Sequence, residues 1–148
     1  MLLPGLALCL AACGGDVSNI AYDDGSPWQQ IERKDGHRHG AFRRWHPGGV
    51  IEVEASYSHG LPDGAWCEYD REGQMLLEES WSNGVRDGVA KSWYPNGQLK
   101  SEGAWIQGER DGDWRFYLPD GSNDALAKFQ SGTRISMTRY NELAPEGD

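Results

Sequence analysis

From Met75 to Trp81 the chain alternates: Met75, Leu77, Glu79 and Trp81 share one side, and Leu76, Glu78 and Ser80 take the other. Alternation of period two is the pattern of a strand with two unlike faces. Leu99 and Trp105 keep the apolar side of the next such segment. Pro95-Asn96-Gly97 and Pro119-Asp120-Gly121 precede these segments. Proline holds φ near -65° and glycine tolerates positive φ, so each phrase suits a type I turn closed by a left-handed glycine. A hairpin is expected around each phrase, and the Gly-x-x-Asp-Gly segments are expected to turn the chain into the following hairpin. The first strand of each hairpin is less regular. Trp66 and Tyr69 stand three apart, so strict alternation separates them onto opposite faces. Either a bulge re-aims one of them or both faces carry aromatic surface.

These segments recur with one period. Gly36, Gly60, Gly84, Gly108 and Gly132 are spaced by 24 residues, as are Gly40, Gly64, Gly88 and Gly112, and Gly49, Gly73, Gly97 and Gly121. One aromatic column holds Trp45, Tyr69, Trp93 and Tyr117, and another holds Tyr57, Trp81, Trp105 and Phe129. A third holds Phe42, Trp66, Ala90 and Trp114, with Ala90 the exception. Glu54, Glu78 and Glu102 share a column that lapses at Leu126. Self-similarity at a fixed period marks a repeat architecture, in which each unit needs its neighbours to bury its apolar face. The expected fold is all-β, an elongated antiparallel sheet of tandem 24-residue hairpins. Its expected divisions are an export signal (1–12), a tether with a degenerate half repeat (13–34), four repeats (36–59, 60–83, 84–107 and 108–131, within 35–131), and a C-terminal cap and tail (132–148). Ile135, Met137 and Tyr140 are expected to cover the last strand.

The glycine, aromatic, Pro-Asn/Asp-Gly and terminal aromatic columns of 35–132 resemble the bacterial variant of the MORN repeat (membrane occupation and recognition nexus), which includes YwqK-like antitoxins. That resemblance implies the same ribbon of successive hairpins. It names a scaffold shared by many roles and so identifies no activity.

Composition narrows the alternatives. The 148 residues include 20 glycines, seven tryptophans and six tyrosines, which is too aromatic for a disordered chain and too rich in glycine for a helical bundle. The net charge of -9 disfavours nucleic acid as a partner, and a basic partner is permitted. Acidity concentrates in the second repeat, where Asp63, Glu68, Asp70, Glu72, Glu78 and Glu79 face Arg71 alone.

The N-terminal run "MLLPGLALCLAAC" is apolar and too short to span a bilayer. Leu10-Ala11-Ala12-Cys13 resembles the lipoprotein signal, although no Lys or Arg precedes the run. The resemblance implies cleavage before Cys13 and lipidation of Cys13, hence a membrane anchor with the chain exported; Gly14 permits outer-membrane sorting in a Gram-negative envelope. A lipidated Cys13 cannot pair, so Cys67 is expected to be a small, half-buried strand residue.

Candidate chemistry is sparse. Asp63, Asp87 and Asp111 are about 10 Å apart in a hairpin array, too far to share one calcium ion, and aspartate before glycine is turn chemistry. His37 and His39 flank Arg38 in a solvated loop without a further ligand. Repeated glutamates in equivalent surroundings do not diverge into acid and base. No catalytic residue, metal or cofactor is expected. The column Tyr57, Trp81, Trp105 and Phe129 is expected to form the packed face. Trp45, Tyr69, Trp93 and Tyr117 are expected to form a partly exposed stripe for a protein partner at the cell envelope. Toxin neutralisation through the acidic second repeat and binding of an envelope glycan are the alternatives.

Overall fold

The computed structural model describes residues 15–140. They form one open sheet of 11 strands, each antiparallel to the next in chain order. The strands are β1 (Asp16–Ala21), β2 (Pro27–Lys34), β3 (His37–Trp45), β4 (Ile51–Ser58), β5 (Leu61–Tyr69) and β6 (Met75–Ser82). They continue as β7 (Val85–Trp93), β8 (Leu99–Ile106), β9 (Glu109–Tyr117), β10 (Asn123–Gln130) and β11 (Thr133–Arg139). The all-β ribbon of hairpins expected from the period is therefore the fold. Residues 16–34 make a complete hairpin, β1–β2, and 133–139 add an edge strand, with Ile135 and Met137 exposed on it.

Two turns alternate along the ribbon. At the Pro-Asn-Gly phrase, Gly97 N donates to Tyr94 O and Tyr94 N to Gln98 O, both at 2.9 Å, with Gly97 at φ 82. This is the type I turn with a left-handed glycine that the residues called for, and the same bonds recur at Gly25, Gly49, Gly73 and Gly121. The other turn is tighter than expected. Asn83 and Gly84 have φ of 47 and 84, the two left-handed residues of a type I′ hairpin turn, so the turn occupies only the start of the Gly-x-x-Asp-Gly phrase. The rest of the phrase lies in the next strand as a bulge: Ser80 alone stands opposite Asp87, Gly88 and Val89. Gly88 has φ 111 there, and a Cβ on it would meet Ser80 Cβ at 2.9 Å.

The aspartate of that phrase acts on a neighbouring hairpin. Asp63 accepts a bond from Asn83 N at 3.3 Å, and Asp111 from Ser131 N at 3.2 Å. Gly84 N donates to Pro62 O and Gly108 N to Arg86 O, both at 2.8 Å. At the opposite end of the strands, the hydroxyls of Tyr22 and Tyr94 donate to Trp45 O and Tyr117 O, each at 2.9 Å, and His46 Nε2 donates to Tyr69 O at 2.9 Å. Both margins of the ribbon are thus tied from repeat to repeat.

The sheet has no covering layer among the described residues, so its apolar face is buried by its own side chains. Ile31, Phe42, Val53, Ala55 and Tyr57 form the densest cluster, with Trp66 packed against it. Across this face rings alternate with small residues: register pairs Phe42 with Ala55 and Ala55 with Trp66, and the Trp114 indole lies over Gly103. The rings touch in a zigzag, Phe42–Tyr57–Trp66–Trp81, at centroid separations of 5.8, 6.4 and 6.0 Å. A second zigzag runs Trp105–Trp114–Phe129 at 5.5 and 6.3 Å. The gap between them is the repeat that has Ala90 in place of a ring. Arg86 fills it, with its guanidinium carbon 5.2 Å from the Trp81 ring centroid and 5.1 Å from that of Trp105. Glu79, paired with Ala90 in register and only 6% exposed, accepts a 2.8 Å bond from Arg86 Nε. An ion pair takes the place of a ring.

Removing Glu79 leaves a cavity and an unpaired guanidinium. Arg86 retains contact with water, so the cost falls below that of a fully buried pair. Glu79→Ala is expected to lower stability by about 2 kcal/mol in urea unfolding. Ala90→Trp, which destabilises the wild type by overpacking, is expected to recover part of the loss in the Glu79→Ala background. Independent, additive effects of the two substitutions would contradict this arrangement.

Candidate binding surfaces

The two faces carry different chemistry, which settles the question left by Trp66 and Tyr69. Trp66 lies on the ring face. Tyr69 lies on the other, beside Cys67, and Tyr117 reaches Glu102 there at 2.8 Å. Both faces carry aromatic surface.

On the second face, register lines up Arg43, Glu54, Cys67, Glu78, Lys91, Glu102 and Arg115 across seven strands. Arg43 Nε bonds Glu54 at 3.2 Å, and Arg115 approaches Glu102 at 3.6 Å. The glutamate column read from the sequence is one half of a charge ladder, and bases on the intervening strands are the other half. Half-exposed pairs of this kind contribute little individually, about 0.2–1 kcal/mol. Cys67 breaks the ladder, standing between Glu54 and Glu78 where another repeat has a base. Burial, then the Glu78 charge, pushes its thiol pKa up, against a weaker opposing bond from Tyr69. Burial, with Cys67 and the two glutamates beside it, likewise pushes the Tyr69 phenol up to about 12.

The stripe expected for a partner consists of half-buried residues closing the first strand of each repeat. Trp45, Tyr69, Trp93 and Tyr117 pair with Ile51, Met75, Leu99 and Asn123, each at a register shift. They occupy alternate strands, so neighbours are about 10 Å apart, and no ring contact joins them among the described residues. They form a row of separate rings set among charges. Between the N-terminal end of this row and the ring face, an open depression of about 390 Å³ is lined by Arg44, Glu52, Val53, Glu68, Tyr69 and Arg71. Arg44 is bound to Glu52 at 2.7 Å, and Glu68 accepts from the Trp66 indole at 2.9 Å. Glu79, expected in the acidic surface of this repeat, is instead buried on the opposite face under Arg86. Folding removes it from any contact with a basic partner.

Among the described residues no cluster of three or more His, Cys, Asp or Glu side chains could hold a metal ion. The structure does bring His59 edge-on to His39, with ring centroids 5.4 Å apart, a neighbour their sequence positions did not suggest. Cys13 lies outside the described residues.

The arginines of the ring face escaped the sequence reading. Arg38, Arg86, Arg110 and Arg134 form a fourth column of the same period, interrupted by Pro62. Arg38 lies 5.3 Å from the Tyr57 ring centroid, and Arg110 lies 5.6, 4.4 and 5.5 Å from those of Trp105, Trp114 and Phe129. The column count that exposed the glycines would have found them.

The model of the MORN repeat variant matches residues 38–59 and 86–106, the hairpins β3–β4 and β7–β8. Those two segments are similar to MORN repeats. The same hairpin, with the same two turns, is built at β5–β6 and β9–β10, between and after the matched MORN segments. MORN repeats commonly serve as modules that bind proteins or membranes. A comparison with curated proteins finds no match.

The raised phenol pKa has a definite sign. Neutral Tyr69 is favoured in the folded chain, so its contribution is complete below the ordinary tyrosine value of 10.0 and is lost as pH rises through about 12. Ultraviolet titration of phenolate is expected to show a step near pH 12 that disappears in Tyr69→Phe. Loss of a step near pH 10 instead would contradict the environment described.

Proposed function

We propose that this chain is a non-enzymatic MORN-repeat lipoprotein that binds a protein at the bacterial cell envelope, exported and anchored through acylated Cys13. The observation that carries the reading is the open ribbon: both faces of a single sheet present the same residue types at a fixed interval, as in a binding scaffold. The anchor rests on Leu10-Ala11-Ala12-Cys13. More than one acyl chain is needed for stable attachment, each buried methylene contributing about 0.8 kcal/mol. The row Trp45, Tyr69, Trp93 and Tyr117 supplies rigid rings beside charges, the mixture found in the anchoring residues of protein interfaces.

Metabolic labelling with a fatty acid is expected to mark the wild-type chain and to fail in Cys13→Ser; equal labelling of both would remove the anchor. Capture of an envelope protein by the anchored chain is expected to weaken about tenfold in Trp93→Ala and Tyr117→Ala, with the fold intact. Unchanged capture by both variants would take the row of rings out of the interface.

A further inference from the structure

The ring face from β6 to β11 carries a second, chemically distinct row. Trp81, Arg86, Trp105, Arg110, Phe129 and Arg134 follow one another at one residue per strand, with Trp81 paired to Arg86, Trp105 to Arg110 and Phe129 to Arg134. Ring and guanidinium alternate strictly. Glu79 neutralises Arg86, whereas Arg110 and Arg134 have no carboxylate partner among the described residues. The Trp81 and Trp105 indole N–H groups are buried without an acceptor. Those indole groups are out of reach of a ligand, so the polar groups that the row offers are guanidinium donors, and a matching ligand must bring acceptors or anions.

The spacing narrows that ligand. Arg86, Arg110 and Arg134 sit on alternate strands, about 10 Å apart. In a polyproline II chain, residues three apart lie on one side at an interval of about 9 Å. A carboxylate at every third residue would meet Arg110 and Arg134 in turn, Arg86 being already paired with Glu79, and the prolines between would lie against Trp105 and Phe129, as proline-rich peptides lie in aromatic grooves. The rings must take part, because a chain of net charge -9 has too little attraction to hold a polyanion by charge alone. We infer that this ring–arginine row is a docking track for an extended acidic, proline-rich peptide segment. The inference rests on the protein-binding reading above and names a different surface, and the chemistry of the segment that would occupy it.

The test titrates the full chain with a synthetic peptide of about five Glu-Pro-Pro units, following tryptophan fluorescence. The matching Lys-Pro-Pro and Gln-Pro-Pro peptides and anionic phospholipid vesicles are run in parallel. The Glu-Pro-Pro peptide is expected to bind, more weakly as salt is raised, and the Lys-Pro-Pro peptide is not. Arg110→Gln is expected to weaken binding about tenfold, and Arg110→Lys nearly as much, since lysine keeps the charge and loses the planar stacking. Arg134→Gln, on an exposed edge strand, gives the same test if Arg110 variants fold poorly. Lys91→Gln, which removes a cation from the opposite face, should leave affinity unchanged. No binding of the Glu-Pro-Pro peptide, equal binding of the other two peptides, or an equal loss in Lys91→Gln would overturn the inference. So would capture of vesicles through Arg110 and Arg134 while the peptide is ignored. If Arg110 and Arg134 variants bind the peptide like wild type while capture of the envelope partner persists, the track falls and the binding-module reading stands. Failure of partner capture alone strikes that reading and leaves the peptide titration as the judge of the track.

Discussion

A sheet without a second layer must bury apolar surface with what it carries itself, and every other feature of this chain answers to that constraint. Its solution is to lay large rings across small neighbours, Trp66 beside Ala55 and Trp114 over Gly103, and to let successive rings touch. Each hairpin covers part of the next, so no unit has a core of its own and stability accumulates along the ribbon. The line is interrupted once, at Ala90, and there Glu79 and Arg86 restore contact between Trp81 and Trp105. Such a substitution is possible because guanidinium is flat and binds ring faces, while its bond to Glu79 offsets part of the cost of desolvating that buried carboxylate.

The same constraint separates the faces by task. The ring face does the packing, and its arginines lie where packing places cations between rings. The other face, relieved of packing, holds a charge ladder and four spaced aromatic residues. Ladder and rings are linked: burial first, then Cys67 and the two glutamates left without a base between them, make the phenol of Tyr69 hold its proton more tightly. The margins hold the repeats in register through bonds from Tyr22, His46 and Tyr94 at one end and Asp63 and Asp111 at the other.

Much of this was legible in the residues. The three glycine columns gave period, hairpins and strand order, because left-handed turns tolerate few other residues at those positions. What escaped depends on residues distant in sequence or ambiguous in type. Asn83-Gly84 is a strong type I′ signal, but reading Gly-x-x-Asp-Gly as one turn hid the bulge at Gly88 that follows it. The bulge lets three residues face one, so alternation counted along β7 could not say which side chains share a face. Glu79 reads as surface charge, since its partner Arg86 and its place opposite the ringless Ala90 are known only once β6 and β7 are paired. The column of Arg38, Arg86, Arg110 and Arg134 is broken by Pro62, and rings that Arg38, Arg86 and Arg110 meet lie on other strands.

Site-resolved amide hydrogen exchange across the sheet tests most directly whether the Glu79–Arg86 pair carries the line of rings through the repeat that lacks one. The account predicts that β6, β7 and β8 are protected as strongly as β3, β4 and β5, with the sheet opening from its ends. A trough of protection centred on β7, with two halves exchanging independently, would contradict it.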